Sequence, residues 1–280
     1  MARVLRHIGE HLDEPLSLDD LADVAAFSKF HFHRQFRSYT GMTVARFVRS
    51  LRLKRASLRL AFDLDHQIIA IALEAGFASP ESFARAFRAL QGQTPSAFRA
   101  SPAWERWTRE FRFPPEAHAS RGEPPVQPTI VDFEETLVAV LEHRGPADRL
   151  MASVAEFIAW RKSCDDSPEA TSRTFGVPWG DPEAMEPEEF RFDICGAVTR
   201  PVRPNDHGVV TKAIPGGRCA VVRHHGSTDA ISETVYALYR DWLPESGESP
   251  RDFPCFFHYI ERMPRVSEHQ QVTDVYLPIR

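Results

Sequence analysis

The residues of this sequence best suited to chemistry recur at a fixed separation. Seven residues return 51 positions further along with the same identity: Phe32, Arg34, Phe36, Arg37, Gly41, Thr43 and Phe47 recur as Phe83, Arg85, Phe87, Arg88, Gly92, Thr94 and Phe98. An arginine guanidinium pairs with phosphate and can donate two parallel hydrogen bonds to the edge of a guanine. The spacing indicates two copies of one unit, and the arginines favour a polyanionic partner.

Each copy has the pattern of two short helices joined by a tight turn. In the first copy, Leu21 and Ala22 keep helical spacing, and Ser17 is placed to cap that helix. Phe32 and Phe36 in the second helix lie four residues apart and point inward, so the basic residues around them point outward. This pattern is typical of a helix-turn-helix whose second helix enters a DNA major groove.

A continuous helix is predicted between the two copies. Residues 43–61 contain neither glycine nor proline, and Phe47, Leu51 and Leu58 are spaced for one buried stripe. At 1.5 Å per residue this helix is about 28 Å long, which is close to the ~34 Å of one DNA turn, so a single chain could read two successive major grooves. Some of the basic residues on its polar side are expected to meet phosphate: Arg46, Arg49, Arg52, Lys54, Arg55 and Arg59.

Contacts with bases are expected near the start of each second helix, because that end of a recognition helix enters the groove. In the first copy and the helix after it, the predicted DNA-binding residues are Lys29, Phe30, His33, Arg34, Arg37 and Arg46. In the second copy they are Glu81, Ser82, Arg85 and Arg88. Glu81 could accept a hydrogen bond from a cytosine amine or cap its own helix, and both interpretations stay open.

Residues 1–112 resemble the double helix-turn-helix DNA-binding domain of the AraC/XylS family of bacterial transcription regulators. The resemblance rests on five motifs: Phe36-x4-Gly41, Leu51-Arg52-x3-Ala56, Ile71-Ala72-x3-Gly76-Phe77, Phe83-x3-Phe87-x4-Gly92 and Thr94-Pro95-x2-Phe98-Arg99. It implies an all-α domain that binds double-stranded promoter DNA. Residues matching Phe30, His33 and Arg34 touch bases in this family.

Charge is distributed unevenly over the 280 residues. Residues 1–113 carry 17 Lys and Arg against 12 Asp and Glu, whereas residues 114–280 carry 17 against 27, for a total formal charge of −5. Only the first half therefore favours a polyanion. No apolar run approaches the ~18 residues of a membrane span, so a cytosolic protein without membrane contact is expected. The four cysteines show no metal-binding spacing, and no cofactor, metal or catalytic residue is predicted.

A second duplication follows a predicted proline-rich linker at 113–127. Five residues recur 81 positions later: Ala139, Val140, His143, Gly145 and Asp148 return as Ala220, Val221, His224, Gly226 and Asp229. Each copy reads as a strand, a turn at glycine, an amphipathic helix and two further strands. Residues 128–280 are therefore predicted to form an α+β domain of two pseudo-twofold β-α-β-β repeats, with a cleft between them where ligands commonly bind.

This second half resembles the GyrI-like effector-binding domain, which together with the first half implies a Rob-type arrangement. The motifs that carry it are Phe175-Gly176, Asp181-Pro182, Arg191-Phe192-Asp193, Ile214-Pro215-Gly216-Gly217, His225-Gly226, Trp242-Leu243-Pro244 and Thr273-Asp274-Val275-Tyr276-Leu277-Pro278. It implies a small-molecule effector in an aromatic pocket. The pocket residues expected here are Phe175, Trp179, Tyr236, Tyr239, Phe257, His258 and Tyr259.

One position departs from the GyrI-like pattern. Many such domains carry a glutamate that meets cationic ligands, and Phe257 takes that place here. Without this charge, three interpretations stay open. The ligand is neutral and hydrophobic, the ligand is cationic, or the domain has lost effector binding.

Three functions remain open from the sequence. The first is a transcription regulator whose ligand changes DNA affinity or a contact with RNA polymerase. The second is a hydrolase of electrophilic small molecules, with an acid or base among Glu233, Asp193, His258 and His143. The third is a second domain that binds a protein partner without a ligand.

Overall fold

The computed structural model of the chain describes residues 1–111, 127–182, 184–263, 265–266 and 268–280, without the side chains of Ala2 and Phe30. Contacts divide the chain into two units, Met1–Glu123 with Arg262–Gln271 and Pro124–Glu261 with Val272–Arg280. The predicted linker at 113–127 lies outside the described residues except for Gln127. The boundaries 1–112 and 128–280 therefore stay predictions.

The described part of the first unit is helical and contains the predicted double motif. Its helices are α1 (Ala2–Glu10), α2 (Leu18–Ala25), α3 (Lys29–Thr40), α4 (Val44–Phe62), α5 (Ile68–Glu74), α6 (Pro80–Gln91), α7 (Pro95–Ala100) and α8 (Trp104–Glu110). Four helices begin at a hydroxyl that accepts a hydrogen bond from the backbone N–H three residues on: Ser17, Thr43, Ser79 and Thr94. The pairs α2–α3 and α5–α6 are the two motifs, and α4 confirms the continuous spacer helix.

The two motifs repeat the same aromatic core. Phe36 is fully buried and meets Phe47 edge to face at 5.5 Å between ring centroids. Phe87 is likewise fully buried and meets Phe98 at 5.3 Å. Each pair ties a second helix of the motif to the helix that follows it, so the aromatic repeat in the sequence is a repeat of the core.

The turn between the two helices of each motif uses the left-handed backbone region. Ala26 ends α2 at φ 56°, and Gly76 takes the corresponding place after α5 at φ 76°. A residue with a Cβ atom is strained in this region, whereas glycine is not. Ala26 is the one described non-glycine residue with positive φ.

Replacing Ala26 with glycine is expected to stabilise the helical unit by about 1 kcal/mol, because the strain at Cβ disappears. The same change at Ala45, an exposed position in the first turn of α4, should instead destabilise the unit by up to about 1 kcal/mol, because glycine is a poor helix former. Urea unfolding followed by far-UV circular dichroism measures both. Equal losses for the two variants would contradict a strained turn at Ala26.

The second unit contains one antiparallel sheet with helices packed against one face. Its strands are β1 (Thr129–Phe133), β2 (Thr136–Arg144), β3 (Thr174–Pro178), β4 (Arg191–Ala197), β5 (Val210–Ile214), β6 (Gly217–His225), β7 (Phe256–Glu261) and β8 (Val272–Pro278). Its helices are α9 (Leu150–Ser163), α10 (Ile231–Tyr236), the π-helical segment Ala237–Trp242 and α11 (Leu243–Ser246). The strand order within the described residues is β1-β6-β8-β7-β3-β4-β2-β5. The predicted pair of β-α-β-β repeats is confirmed, with β3 and β7 joined at the centre.

Two strands, β1 and β5, were not predicted. They are related by the same 81-residue separation as the rest of the duplication, so each repeat begins one strand earlier than expected. Each of them pairs with the opposite repeat, since β1 pairs with β6 and β5 pairs with β2. The sequence missed them because both are short strands at the sheet edges with mostly exposed or half-buried residues.

A buried histidine fixes the turn after the first long strand of each repeat. His143 hydrogen-bonds through Nδ1 to Ser153 Oγ at 2.9 Å and through Nε2 to the carbonyl of Gly145 at 3.2 Å. His224 repeats this arrangement with Thr234 Oγ1 at 2.8 Å and a backbone carbonyl at 2.9 Å. The conserved spacing of histidine in the two copies thus has a structural explanation, because each ring joins a strand to its helix.

Candidate nucleic-acid interface and effector cleft

Helix α3 presents the predicted DNA-binding residues on its exposed side. Phe32 and Phe36 are fully buried, and this places His33, Arg34 and Arg37 at the surface. Lys29 is exposed too, and its Nζ atom lies 2.5 Å from a carboxylate oxygen of Asp19 in α2. The side chain of Phe30 lies outside the described residues, so its predicted base contact stays a prediction.

Helix α6 presents fewer groups than the sequence predicts. Arg85 and Arg88 are exposed, but Ser82 is half-buried and forms a capping box with Ser79. Hydrogen bonds from its own backbone N–H and from the Ser79 side chain lower the pKa of the Glu81 carboxyl. The contact between the Glu81 carboxylate and its own backbone N–H is one that a residue in the first turn of a helix makes, and the base contacts of Glu81, Ser82 and Arg85 stay predictions.

The basic side of α4 is largely used inside the first unit. Arg52 donates to the carbonyl oxygens of Leu12 and Glu14 at 2.9 and 3.0 Å, and so it positions the loop before α2. Three further basic residues of α4 form ion pairs: Arg55 with Asp13, Arg59 with Glu74, and the buried Lys54 with Glu268. The prediction that some of the six basic residues of α4 meet phosphate stays a prediction, and it is narrowed to those without such partners among the described residues, Arg46 and Arg49.

Arg46 and Arg49 remain exposed near the start of α4. Arg49 borders a groove of about 510 Å³ in the first unit. The same groove is lined by His33 of α3 and by the turn at Gly76 and Phe77. The basic residues on the groove wall are Arg49 and Arg52, and no carboxylate is present among its described lining residues. The other lining residues are mainly apolar, and the Arg52 guanidinium is held by the carbonyls of Leu12 and Glu14.

The predicted effector residues fall on opposite faces of the sheet. In the register of β3 and β7, Phe175 stands opposite His258 and Gly176 stands opposite Phe257. Neighbouring residues of a strand point to opposite faces, so these two pairs cannot line one cavity. The structure therefore divides the predicted set into two groups.

The first group lies on the face that the helices cover. Phe257 is buried in a core with Phe192, and Tyr259 packs against that core. A Cβ atom at Gly176 would lie 2.5 Å from a ring carbon of Phe192 and 2.7 Å from the Tyr259 hydroxyl. These side chains already fill the space above Gly176, so a ligand there has to move an aromatic ring.

Two tyrosines on the helices belong to the same face. Tyr236 of α10 donates from its hydroxyl to a carboxylate oxygen of Asp181 at 2.7 Å. Tyr239 is 39% exposed, and burial of its hydroxyl beside Cys255 raises its pKa. Asp181 was not predicted as a site residue, because its partner lies 55 positions away and no local pattern joins them.

The second group lies on the opposite face. Phe175 is fully buried and its ring stacks on His258 at 4.9 Å. Trp179 is 40% exposed, and the Arg191 guanidinium lies 4.5 Å from its ring centroid. Arg191 is also near Asp193, whose carboxylate accepts a hydrogen bond from Lys212 at 2.8 Å. The side chains of this second group are thus already engaged in aromatic and ionic contacts.

Family comparisons match both halves of the chain. Residues 126–280 match the model of the GyrI-like small molecule binding domain, and residues 21–101 match that of a helix-turn-helix domain. The chain belongs to the GyrI-like family. The resemblance of its first hundred residues to AraC-type helix-turn-helix domains is confirmed as well.

Relatives and a solved structure are similar to separate parts of this GyrI-like chain. The probable transcriptional regulator YgiV of Escherichia coli K12 is 49% identical over 150 residues, which are 54% of this chain and 94% of YgiV. The right origin-binding protein of the same organism is 40% identical over 94 residues, which are 34% of this chain and 32% of that protein. The solved EcmrR C-terminal domain is 15% identical with a TM-score of 0.46, covering 55% of this chain and 98% of that domain.

Together these findings show a DNA-binding transcription regulator of AraC and Rob type that carries a GyrI-like small-molecule binding domain. Within the described residues, the helices lack the combination of length and apolar character that a membrane span requires.

Proposed function

We propose that the chain recognises specific promoter sequences through α3 and α6, with Arg34 and Arg85 reading bases. The main support is the duplication itself, since Arg34 and Arg85 are equivalent and exposed on helices whose other sides are fixed by buried phenylalanines. Arg37 and Arg88, one turn further along, are placed for phosphate, together with Arg46 and Arg49 on α4. Recognition of two half-sites about one DNA turn apart by a single chain follows from the helical spacer.

Selection of bound sequences from a random DNA pool tests this proposal directly. The expected result is a motif with two short half-sites whose centres are about 10 base pairs apart. Recovery of one half-site alone, or of no motif, would refute recognition by both helices. Measuring the affinity at several salt concentrations separates the phosphate contribution, which falls as salt rises, from base reading.

For the effector we propose a neutral, hydrophobic or aromatic molecule bound on the helix-covered face, between α10 and the centre of the sheet. The support is the aromatic cluster on this face, where Tyr259 packs against a core that contains Phe257 and Phe192, and Phe257 stands where many GyrI-like domains carry a glutamate. The aromatic side chains of this cluster carry no charge, and the Asp181 carboxylate on this face already accepts a hydrogen bond from Tyr236. An apolar ligand therefore gains most from burial there, whereas a cation would lose hydration without an ion pair at position 257.

Thermal unfolding of the full chain with neutral aromatic compounds and their quaternary-ammonium analogues of equal shape tests the ligand class. A ligand at 100 times its dissociation constant should stabilise the fold by about 2.7 kcal/mol, and we expect this from the neutral members. Larger shifts from the charged members would contradict the proposed class. Shifts from neither class would favour a domain that binds a protein partner.

Two substitutions locate the ligand. Tyr239 and Trp179 are 39% and 40% exposed and lie on opposite faces of the sheet, so Tyr239→Ala and Trp179→Ala form a matched pair. Tyr239→Ala is expected to weaken ligand binding at least several-fold, because an aromatic contact is lost, whereas Trp179→Ala should leave it unchanged. The reverse pattern would place the ligand on the other face and refute the helix-covered cleft.

Regulation, not hydrolysis, is the function that we propose for the second domain. Two of the four acid or base candidates already have structural partners: His143 is held between Ser153 and a backbone carbonyl, and Asp193 is paired with Lys212. The ligand would then act by favouring one arrangement of the protein over another, through DNA affinity or through a contact with RNA polymerase. Turnover of an electrophile by the full chain would contradict this proposal.

A further inference from the structure

Three potential metal ligands lie together at the carboxyl end of α1. His7 and His11 are four residues apart and therefore share a helix face, and their ring centroids are 4.0 Å apart with 30° between the planes. Glu10 completes the group, since one ligand atom from each of the three residues lies within 4.8 Å of the others. Small side-chain rotations would bring such atoms around one ion.

A hydrogen bond determines which ring nitrogen of neutral His11 carries the proton. Its Nδ1 atom lies 2.9 Å from the carbonyl oxygen of His7, and a carbonyl can only accept, so Nδ1 carries the proton. The Nε2 lone pair of His11 is therefore available to a metal. A metal-bound histidine usually donates its other N–H to a carbonyl or carboxylate in this way, which fixes the tautomer and orients the ring.

We propose that His7, Glu10 and His11 bind a divalent transition-metal ion, with Zn²⁺ as the probe ion. Two imidazoles and a carboxylate suit Zn²⁺, Ni²⁺ and Cu²⁺, whereas Mg²⁺ and Ca²⁺ take oxygen ligands. The negative end of the helix dipole also favours a cation at the last turn of α1. The prediction that the chain lacks a metal site considered cysteine spacing, which this group does not involve.

Binding at this position would affect the first helix-turn-helix motif. Leu5 and Ile8 on the same helix are buried in the core of the first unit, and Arg3 donates to the carbonyl of Val24 near the end of α2. An ion that joins His7 to His11, which caps the end of α1, would hold the last turn of α1 in its folded form. The metal therefore stabilises the helix that supports α2.

Isothermal titration of the full chain with Zn²⁺ tests the proposal, in a Cys164→Ser background that removes the half-buried thiol. We expect one ion per chain, and binding weaker by at least about tenfold in His7→Ala and in His11→Ala. Glu10→Gln should weaken it less. His225→Ala is the matched control, because His225 is exposed in the second unit, and it should bind as the parent does.

A second measurement protects against a folding defect in the variants. Zn²⁺ should raise the unfolding temperature of the parent and of His225→Ala, but not that of His11→Ala, while Mg²⁺ should have no effect on any of them. Equal Zn²⁺ affinity in the parent, His7→Ala and His11→Ala would overturn the proposal. Lack of Zn²⁺ binding by the parent, or equal binding of Mg²⁺, would overturn it as well.

Discussion

Replacing Arg34 with alanine is expected to weaken binding to the selected promoter sequence by ~1–3 kcal/mol, about 5- to 150-fold. Arg34 is exposed in the second turn of α3, within the amino-terminal half from which a recognition helix meets base edges. Its loss should also relax the preference for one base at one position of the site. Gel-shift titrations against the selected sequence and its single-base variants measure both effects.

Arg37→Ala is the control for Arg34→Ala. Arg37 is exposed on the same helix in its last turn, where a phosphate contact would reduce the affinity for every sequence by a similar factor. It should also reduce the salt dependence of binding. If both variants lose the same factor on selected and random DNA, the assignment of roles to the two arginines is wrong.

Phe36→Ala is expected to have the largest effect on stability, with a loss of about 3–5 kcal/mol. Phe36 is fully buried, and its ring contacts Phe32 and Phe47, so truncation leaves a cavity between α3 and α4. Urea unfolding of the full chain measures the loss, and DNA binding should fall with it because α3 is no longer held. Phe87→Ala should behave alike in the second motif.

Tyr39→Ala provides the comparison on the same helix. Tyr39 is 36% exposed, so its truncation removes less buried area, and a loss below that of Phe36→Ala is expected. Equal losses for the two variants would contradict the view that the repeated phenylalanines hold the recognition helices. If Phe36→Ala lowers the free energy of unfolding without changing DNA affinity, this aromatic core is not what holds α3 in place for DNA binding.

Duplication made most of the fold predictable from the sequence. Because the two copies of each motif agree in residue type and spacing, the helices α3, α4 and α6 and the central strands of the sheet could be placed in advance. The edge strands β1 and β5 could not, since each pairs with a repeat far along the chain and neither has a continuous apolar pattern.

The candidate sites were less predictable than the fold, because partners distant in sequence decide them. Arg52 looked available for phosphate, yet carbonyl groups 40 and 38 positions away hold its guanidinium. The predicted effector residues likewise combined two faces of the sheet, since the pairing of Phe175 with His258 follows from the β3–β7 register. Alternation along β7 alone already separates Phe257 from His258.

The exchange of β1 and β5 between the two repeats bears on how this domain could have arisen. In a solitary copy of the repeat, the edge of the first long strand would be uncovered, because the leading strand that pairs with it here comes from the other copy. Two identical ancestral copies could cover both edges by exchanging their leading strands across a twofold axis. Fusing such a pair into one polypeptide would preserve this exchange, so each half of the present sheet is completed by a strand from the other repeat.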